Sequence, residues 1–403
     1  MVTDYINESG HTSDPYLQRD VSPTVWNDTI LGTAKFQVKG DDSKGYAVTV
    51  EFLDRRRSFY IVKEEGAFHI VSLGDNSLGT YVLYALDHGQ NALAKAILDW
   101  RRDSMSRGSA DDPLSGPLLP RFWTVGSARP GADSPESMRV AAIALLTGSM
   151  DIKPLLDSLV PLRDKASGAH QEDFDLLLAW GYVEAEQPAA ATRYINNLLE
   201  EEPDSGRALY LAGSAYQLNG DVKSWKALLD NRAKAKPDDP DLMRQQSRLL
   251  TFQHDYAGAR TSLKLVFDSG HATVVDYNQY AWLGLFDNSL GTDITDAAQK
   301  ANSLNKNANF SDLHTTACVY AGQGKFAEAR QVLEQAMEAG GLVQPNSSVW
   351  FALGLLYENY GLPDAAIAAY RKVPAQDPED GHTFIDPAST YLLAQQGIHR
   401  LSK

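Results

Sequence analysis

SSVWFALGLLYENYGLPDAAIAAYRKVPAQDP, residues 347–378, reads as two amphipathic helices folded back on each other at Tyr360-Gly361-Leu362-Pro363. Trp350, Leu353, Gly354 and Tyr357 recur at three- and four-residue steps on one helix face, and Ala366, Tyr370 and Val373 do the same on the next. Gly354 and Ala366 carry almost no side chain, so the spacing places them where the antiparallel helices touch. Trp350, Tyr357 and Tyr370 fill the space around that contact.

The pattern recurs upstream. Ala179, Gly213, Ser247 and Ala281 occupy the small first-helix position at intervals of 34 residues, and Tyr182, Tyr216, Leu250 and Gly284 follow three later. The second-helix contact runs Ala191, Trp225, Ala259, and the closing position runs Pro203, Pro237, His271. A stretched unit carries Leu313, Ala317, Tyr320, Gly324, Phe326, Ala329 and Ala336, after a lengthened turn in DNSLGTD at 287–293. The spacing predicts six units from Gln171 to Pro378, two diverged helix pairs within 78–103 and 135–165, and a capping helix over Asp386–Leu401. One such pair cannot bury its apolar face alone, whereas stacked neighbours make a continuous core.

W-x2-LG-x2-Y followed by a glycine, an alanine, an aromatic and a closing proline is similar to the tetratricopeptide repeat; here these are Trp350, Leu353-Gly354, Tyr357, Gly361, Ala366, Tyr370 and Pro378. The resemblance implies a mostly α fold, a right-handed α-α superhelix or tetratricopeptide solenoid, whose first helices line a concave groove. It also implies that residues one after the small position and three before it point into that groove. Carried over, these are Leu176 and Trp180, Tyr210 and Ser214, Arg244 and Arg248, Asn278 and Trp282, His314 and Cys318, and Phe351 and Leu355. Trp180, Tyr210, Trp282 and Phe351 offer aromatic area at low entropic cost, and Arg244 with Arg248 is expected to fork onto a ligand carboxylate. With Asn278 and His314, these residues form the expected groove for a protein or peptide ligand. Members of the family that clamp chaperone tails use Lys and Asn at the inward positions; this chain departs from that set.

Ahead of the repeats, residues 29–74 hold short runs rich in Val, Ile, Phe and Tyr between Gly- and charge-bearing turns, predicting a small antiparallel β meander with a hairpin turn at Glu64-Glu65-Gly66. So small a sheet has little to bury itself against, so it is expected to pack on the helices that follow. Arg55-Arg56-Arg57 is read as a solvated turn between two strands. Three regions follow: a flexible lead-in and β region at 1–76, diverged helix pairs with a Pro/Gly-rich loop (104–134) at 77–170, and the regular array with its cap at 171–403. Leu118, Leu119, Phe122 and Trp123 are expected to pin that loop to neighbouring helices.

Composition excludes several functions. A net charge of −15 argues against wrapping a nucleic-acid backbone, which needs clustered Lys and Arg, and Arg55-Arg56-Arg57 is the one basic triplet, so no nucleic-acid partner is expected. One cysteine, Cys318, forbids an intrachain disulfide, and the nine histidines show neither H-x3-H nor HExxH spacing, so neither a metal nor a cofactor is expected. No apolar run is long enough to span a bilayer, and the first 20 residues lack the apolar core of a signal peptide. Gly322-Gln323-Gly324-Lys325 lies at a turn between repeat helices and does not make a phosphate loop. The expectation is a non-catalytic scaffold that binds a peptide segment or partner protein in its groove. The alternative is a regulatory or substrate-presenting part of a larger enzyme whose catalytic domain lies upstream. A third possibility is autoinhibition, with the sheet and the long loop filling the groove.

Overall fold

The computed structural model describes residues 34–52, 55–71, 75–105, 134–147, 152–342, 344–375 and 384–402. The expected lead-in at 1–20 and the loop anchors Leu118, Leu119, Phe122 and Trp123 lie outside them. The chain forms two compact units, and the change from one to the other falls after Leu211.

The first unit begins with strands β1 (Lys35–Asp41), β2 (Gly45–Phe52), β3 (Arg55–Glu64) and β4 (Ala67–Ile70), an antiparallel meander in sequence order. Glu65 and Gly66 join β3 to β4 with φ of 51° and 85°, the left-handed pair that a two-residue hairpin turn requires. Arg55-Arg56-Arg57 is a correction: its backbone is strand, with Arg55 opposite Phe52 and Arg57 opposite Val50. The ladder along β2 carries β3 beyond its own apolar stretch, which the side chains alone did not indicate. Alternation sorts the two faces. Tyr60 and Val62 are buried in a core with Leu78, Val82, Ile97 and Met138, and the Tyr60 ring stands 5.4 Å from that of Trp100. Phe36, Val38 and Phe68, on the opposite face, remain exposed.

The helices over that core are α1 (Asp75–Asp87), α2 (Asn91–Met105) and α3 (Pro135–Leu145). They are followed by α4 (Lys153–Lys165), α5 (Ala169–Glu184) and α6 (Pro188–Glu201). A buried ion pair ties α4 to α5: Arg163 Nε and Nη2 donate to the two carboxylate oxygens of Asp175, each at 2.6 Å.

Helix α7 (Gly206–Asn219) leads into α8 (Val222–Ala235), α9 (Pro240–Phe252), α10 (Tyr256–Asp268), α11 (Val274–Phe286), α12 (Thr292–Leu304), α13 (Phe310–Gly322), α14 (Phe326–Ala339), α15 (Ser347–Asn359), α16 (Pro363–Tyr370) and α17 (Thr390–Leu401). The regular spacing has a backbone cause. In each of the six turns from α5/α6 to α15/α16 one residue takes a positive φ: Glu186, Gly220, His254 and Asn288 at 34-residue steps, then Gly324 and Gly361. The next residue donates its N–H to a carbonyl in the preceding helix, namely Tyr182, Tyr216, Leu250, Gly284, Tyr320 or Tyr357, at 2.7–3.0 Å. This closure satisfies helix-end carbonyls that would otherwise be orphaned. The acceptors are the residues three beyond each small position, so side-chain and backbone periods coincide.

In the second unit, first helices stack on first helices, α11 on α13 and α13 on α15. Close approach has a cost to any larger side chain: a Cβ on Gly354 would lie 2.4 Å from the Tyr370 ring, and one on Gly397 of α17 would lie equally close to the same ring. Tyr370 therefore fills a slot between α15 and α17. Its hydroxyl donates to Glu358 at 2.6 Å, and Arg400 forks onto the same carboxylate at 3.0 Å. The capping helix starts at Thr390, later than the expected Asp386, because Pro387 resists helical continuation and Ser389 caps α17 by accepting from Leu392 N.

Candidate functional site

Two clusters on the first-helix face of the second unit contain most of the expected groove residues. The first is polar and begins with the cap of α11. Thr273 and Asp276 form a capping box, in which Asp276 Oδ2 accepts from Thr273 N at 2.8 Å and Thr273 Oγ1 at 2.9 Å. That buried carboxylate also receives Arg244 of α9, with Nε to Oδ1 at 2.9 Å and Nη2 to Oδ2 at 3.0 Å. The remaining reach of the guanidinium goes to Asp241 at 2.7 Å and to the His271 carbonyl at 2.7 Å. The expected fork onto a ligand carboxylate is corrected here: Arg244 forks onto Asp276 of the next repeat. Arg248, one turn further along α9, is half-buried.

The second cluster is aromatic. Trp282 of α11 lies 5.6 Å from the His314 ring of α13, 6.0 Å from Phe351 of α15 and 6.3 Å from Phe286 of its own helix. Phe286 stacks on Tyr256 of α10 at 4.5 Å. Two polar tips leave this apolar body, as is usual for buried Trp and Tyr. Trp282 Nε1 donates to the Ala388 carbonyl at 2.7 Å, and the Tyr256 hydroxyl donates to the Pro387 carbonyl at 3.0 Å. His254 Nδ1 is 2.8 Å from the Tyr256 hydroxyl and donates to it, since that hydroxyl's own proton is committed to Pro387. The stretch before α17 thus lies across Tyr256 and Trp282 and is held through its main chain.

A family model described as tetratricopeptide repeat matches residues 176–240 and 314–381. Those two stretches are tetratricopeptide repeats. No curated protein matches it. Among solved structures, that of the APC/C hetero-tetramer Cut9-Hcn1 is 14% identical with a TM-score of 0.43, covering 77% of this chain and 64% of that one, so the chain spans under two thirds of that structure. A tetratricopeptide repeat protein from Parabacteroides merdae ATCC 43184 is 11% identical with a TM-score of 0.43, covering 70% of this chain and 100% of that one. Yeast Tom70 is 11% identical with a TM-score of 0.32, covering 82% of each.

Of the eight residues expected to point inward, some are half-buried and others lie in the core. Trp180 and Tyr210, both in the first unit, are half-buried and stack at 6.3 Å. Asn278 and Trp282, a turn apart on α11, are half-buried, and the Asn278 Oδ1 has no hydrogen-bond partner among the described residues. Phe351 and His314 are corrections, because both lie in the core. Phe351 is 1% exposed between Trp282 and Tyr370. His314 is buried, its Nε2 donating to the Ser348 carbonyl at 2.8 Å, and burial lowers its pKa to about 4. Burial also raises the Cys318 thiol well above its ordinary value, which keeps it protonated and unreactive.

Tyr256, His254 and Phe286, together with Asp386–Ser389, were not expected at the site. The signal available was two aromatics and a histidine around the α9/α10 turn and a Pro inside the supposed capping helix. Among the described residues, no group of three His, Cys, Asp or Glu side chains is placed to hold a metal ion, and no helix is long and apolar enough to cross a membrane.

Proposed function

We propose that this protein is a non-catalytic interaction scaffold that holds a peptide segment of a partner protein on its first-helix face, centred on Trp282 and Asn278. A protein-interaction scaffold is the role that the repeats support. The finer reading rests on one observation: Trp282 and Tyr256 donate to successive main-chain carbonyls, those of Ala388 and Pro387 in the turn ahead of α17, and such bonds grip a polypeptide through its backbone. Asn278, with an unpartnered acceptor one turn away, is the next group along that face able to take a main-chain N–H. Partner capture by the full chain should fall sharply in Trp282→Ala with Asn278→Ala while far-ultraviolet circular dichroism stays unchanged. Undiminished capture by a folded double variant would remove this face from the reading.

A second reading is favoured by a different observation. The outer face of the sheet exposes Phe36 and Val38 on the edge strand β1 and Phe68 on the opposite edge strand β4, and apolar surface of that kind invites a covering domain. On this reading the chain is the regulatory or substrate-presenting part of a larger enzyme. A reading frame that continues upstream of Met1 into a catalytic domain is its expected support, and an in-frame stop codon there would end it.

A further inference from the structure

We propose that Tyr256, Trp282 and Phe286 form a binding cradle for an Asp-Pro-Ala turn, closed by the Ser389 N–H donating to the Asp386 carbonyl at 2.9 Å, that residues 385–388 occupy it in cis, and that a partner segment of the same chemistry binds by displacing them. The proposal rests on the scaffold reading and names both its ligand class and its regulation.

Three features carry it. The first is how the segment is held. Among the described residues, the hydrogen bonds that tie it to the cradle are the Trp282 and Tyr256 donations to the Ala388 and Pro387 carbonyls, and both reach backbone, so another chain presenting the same turn can replace them. The second is that the segment has the character of a ligand. Pro387 is buried, while Ile385 and Asp386 stay exposed, so one side chain is read and its predecessors face solvent. Asp386 Oδ1 accepts from Ala388 N at 2.7 Å, a local turn that sets the two carbonyls before they meet their donors. Proline adds a fixed φ, and such pre-organisation lowers the entropy lost on binding. The third is that α17 does not depend on the cradle. Gly397 against Tyr370 and the Arg400 fork onto Glu358 hold that helix on α15 and α16. The segment can leave the cradle while its helix stays docked.

A tethered occupant competes at an effective concentration of about a millimolar, so a weak cis contact is enough to mask the site against a dilute partner. The probe is a fluorescein-labelled peptide of residues 384–390, FIDPAST, titrated by anisotropy into the full chain and into a full-length variant with Ile385-Asp386-Pro387-Ala388 replaced by Gly-Ser-Gly-Ser. The emptied variant is expected to bind the peptide at least ~10-fold more tightly than the wild type. Adding Trp282→Phe, which keeps an aromatic ring and deletes the N–H, should abolish most of that gain. A peptide carrying Pro387→Ala or Asp386→Ala should bind the emptied chain several-fold more weakly.

Equal binding by wild type and emptied chain overturns the cis occupancy, and no binding by a folded emptied chain overturns the cradle. If the replacement prevents folding, the single substitution Pro387→Ala in the full chain serves the same end, with a several-fold gain expected and no gain counting against the proposal. The scaffold reading is tested separately: a partner captured equally by wild type and emptied chain, yet lost in Trp282→Ala, leaves that reading standing and sinks only the displacement.

Discussion

Arg244 on α9 and Trp282 on α11 both belong to the first-helix face, yet their polar groups end in different kinds of acceptor. The donors of Arg244 go to Asp276, itself fixed in a capping box, to Asp241, and to the His271 carbonyl just ahead of α11. The single donor of Trp282 goes to Ala388, in a stretch that is neither helix nor strand and lies 106 residues away. The first arrangement joins one repeat to the next. The second reaches the turn that precedes α17. An inward position in a helical repeat is therefore not a binding residue by virtue of its number in the repeat; what closes its polar group decides.

Phe351 gives the sharpest way to break that distinction, since the repeat rule makes it a groove residue and the structure makes it core. With 1% of its surface exposed, between Trp282 and Tyr370, Phe351→Ala should lose about 4 kcal/mol of stability in urea titrations of the full chain. A groove-facing phenylalanine would lose under about 1 kcal/mol, as surface positions do.

The Arg244 side of the comparison comes next in size. Asp276→Ala removes the carboxylate that caps α11 and leaves Arg244, partly buried, without its bidentate partner, so a loss of about 3 kcal/mol is expected. Arg244→Ala alone should also destabilise, and the double variant should cost clearly less than the sum, because the two changes remove the same interaction. Additive losses would show that the pair does not couple the repeats and would return Arg244 to the list of groups available to a ligand.

Much of this fold can be read from spacing alone, and there is a physical reason. The small residue, the carbonyl that closes the turn and the left-handed turn residue all advance by the same 34 positions from Ala179, Tyr182 and Glu186, so local sequence carries the whole hairpin. What occupies the face is not local. His314 is covered by the Ser348 carbonyl of the following repeat and Phe351 by Trp282 of α11, and Trp282 meets a carbonyl from the far end of the chain. Position in a repeat says which way a side chain leaves its helix; burial depends on what arrives from elsewhere. The Arg163–Asp175 pair and the strand conformation of Arg55–Arg57 escaped for the same reason, since each is decided by a neighbouring element.

His314 supplies the smallest of these effects and a test that needs no truncation. Burial lowers its pKa to about 4 from an ordinary 6.5, with only the hydrogen bond to the Ser348 carbonyl opposing that shift. The unfolded chain binds a proton at this residue as pH falls through 6.5, and the folded chain does not until near 4, so the unfolded state holds more protons across that window. Stability must then rise with pH between those values and be lost as pH falls. Between pH 7 and pH 5 the loss should be about 2 kcal/mol, on the scale of about 1.4 kcal/mol per pKa unit. His314→Gln keeps a donor for Ser348 and removes the titration, so urea midpoints of this variant should lie on a flatter pH profile than those of the wild type over the same range. Parallel profiles would mean that His314 is reached by solvent, which would move it from the packed core back to the face that Trp282 and Asn278 share.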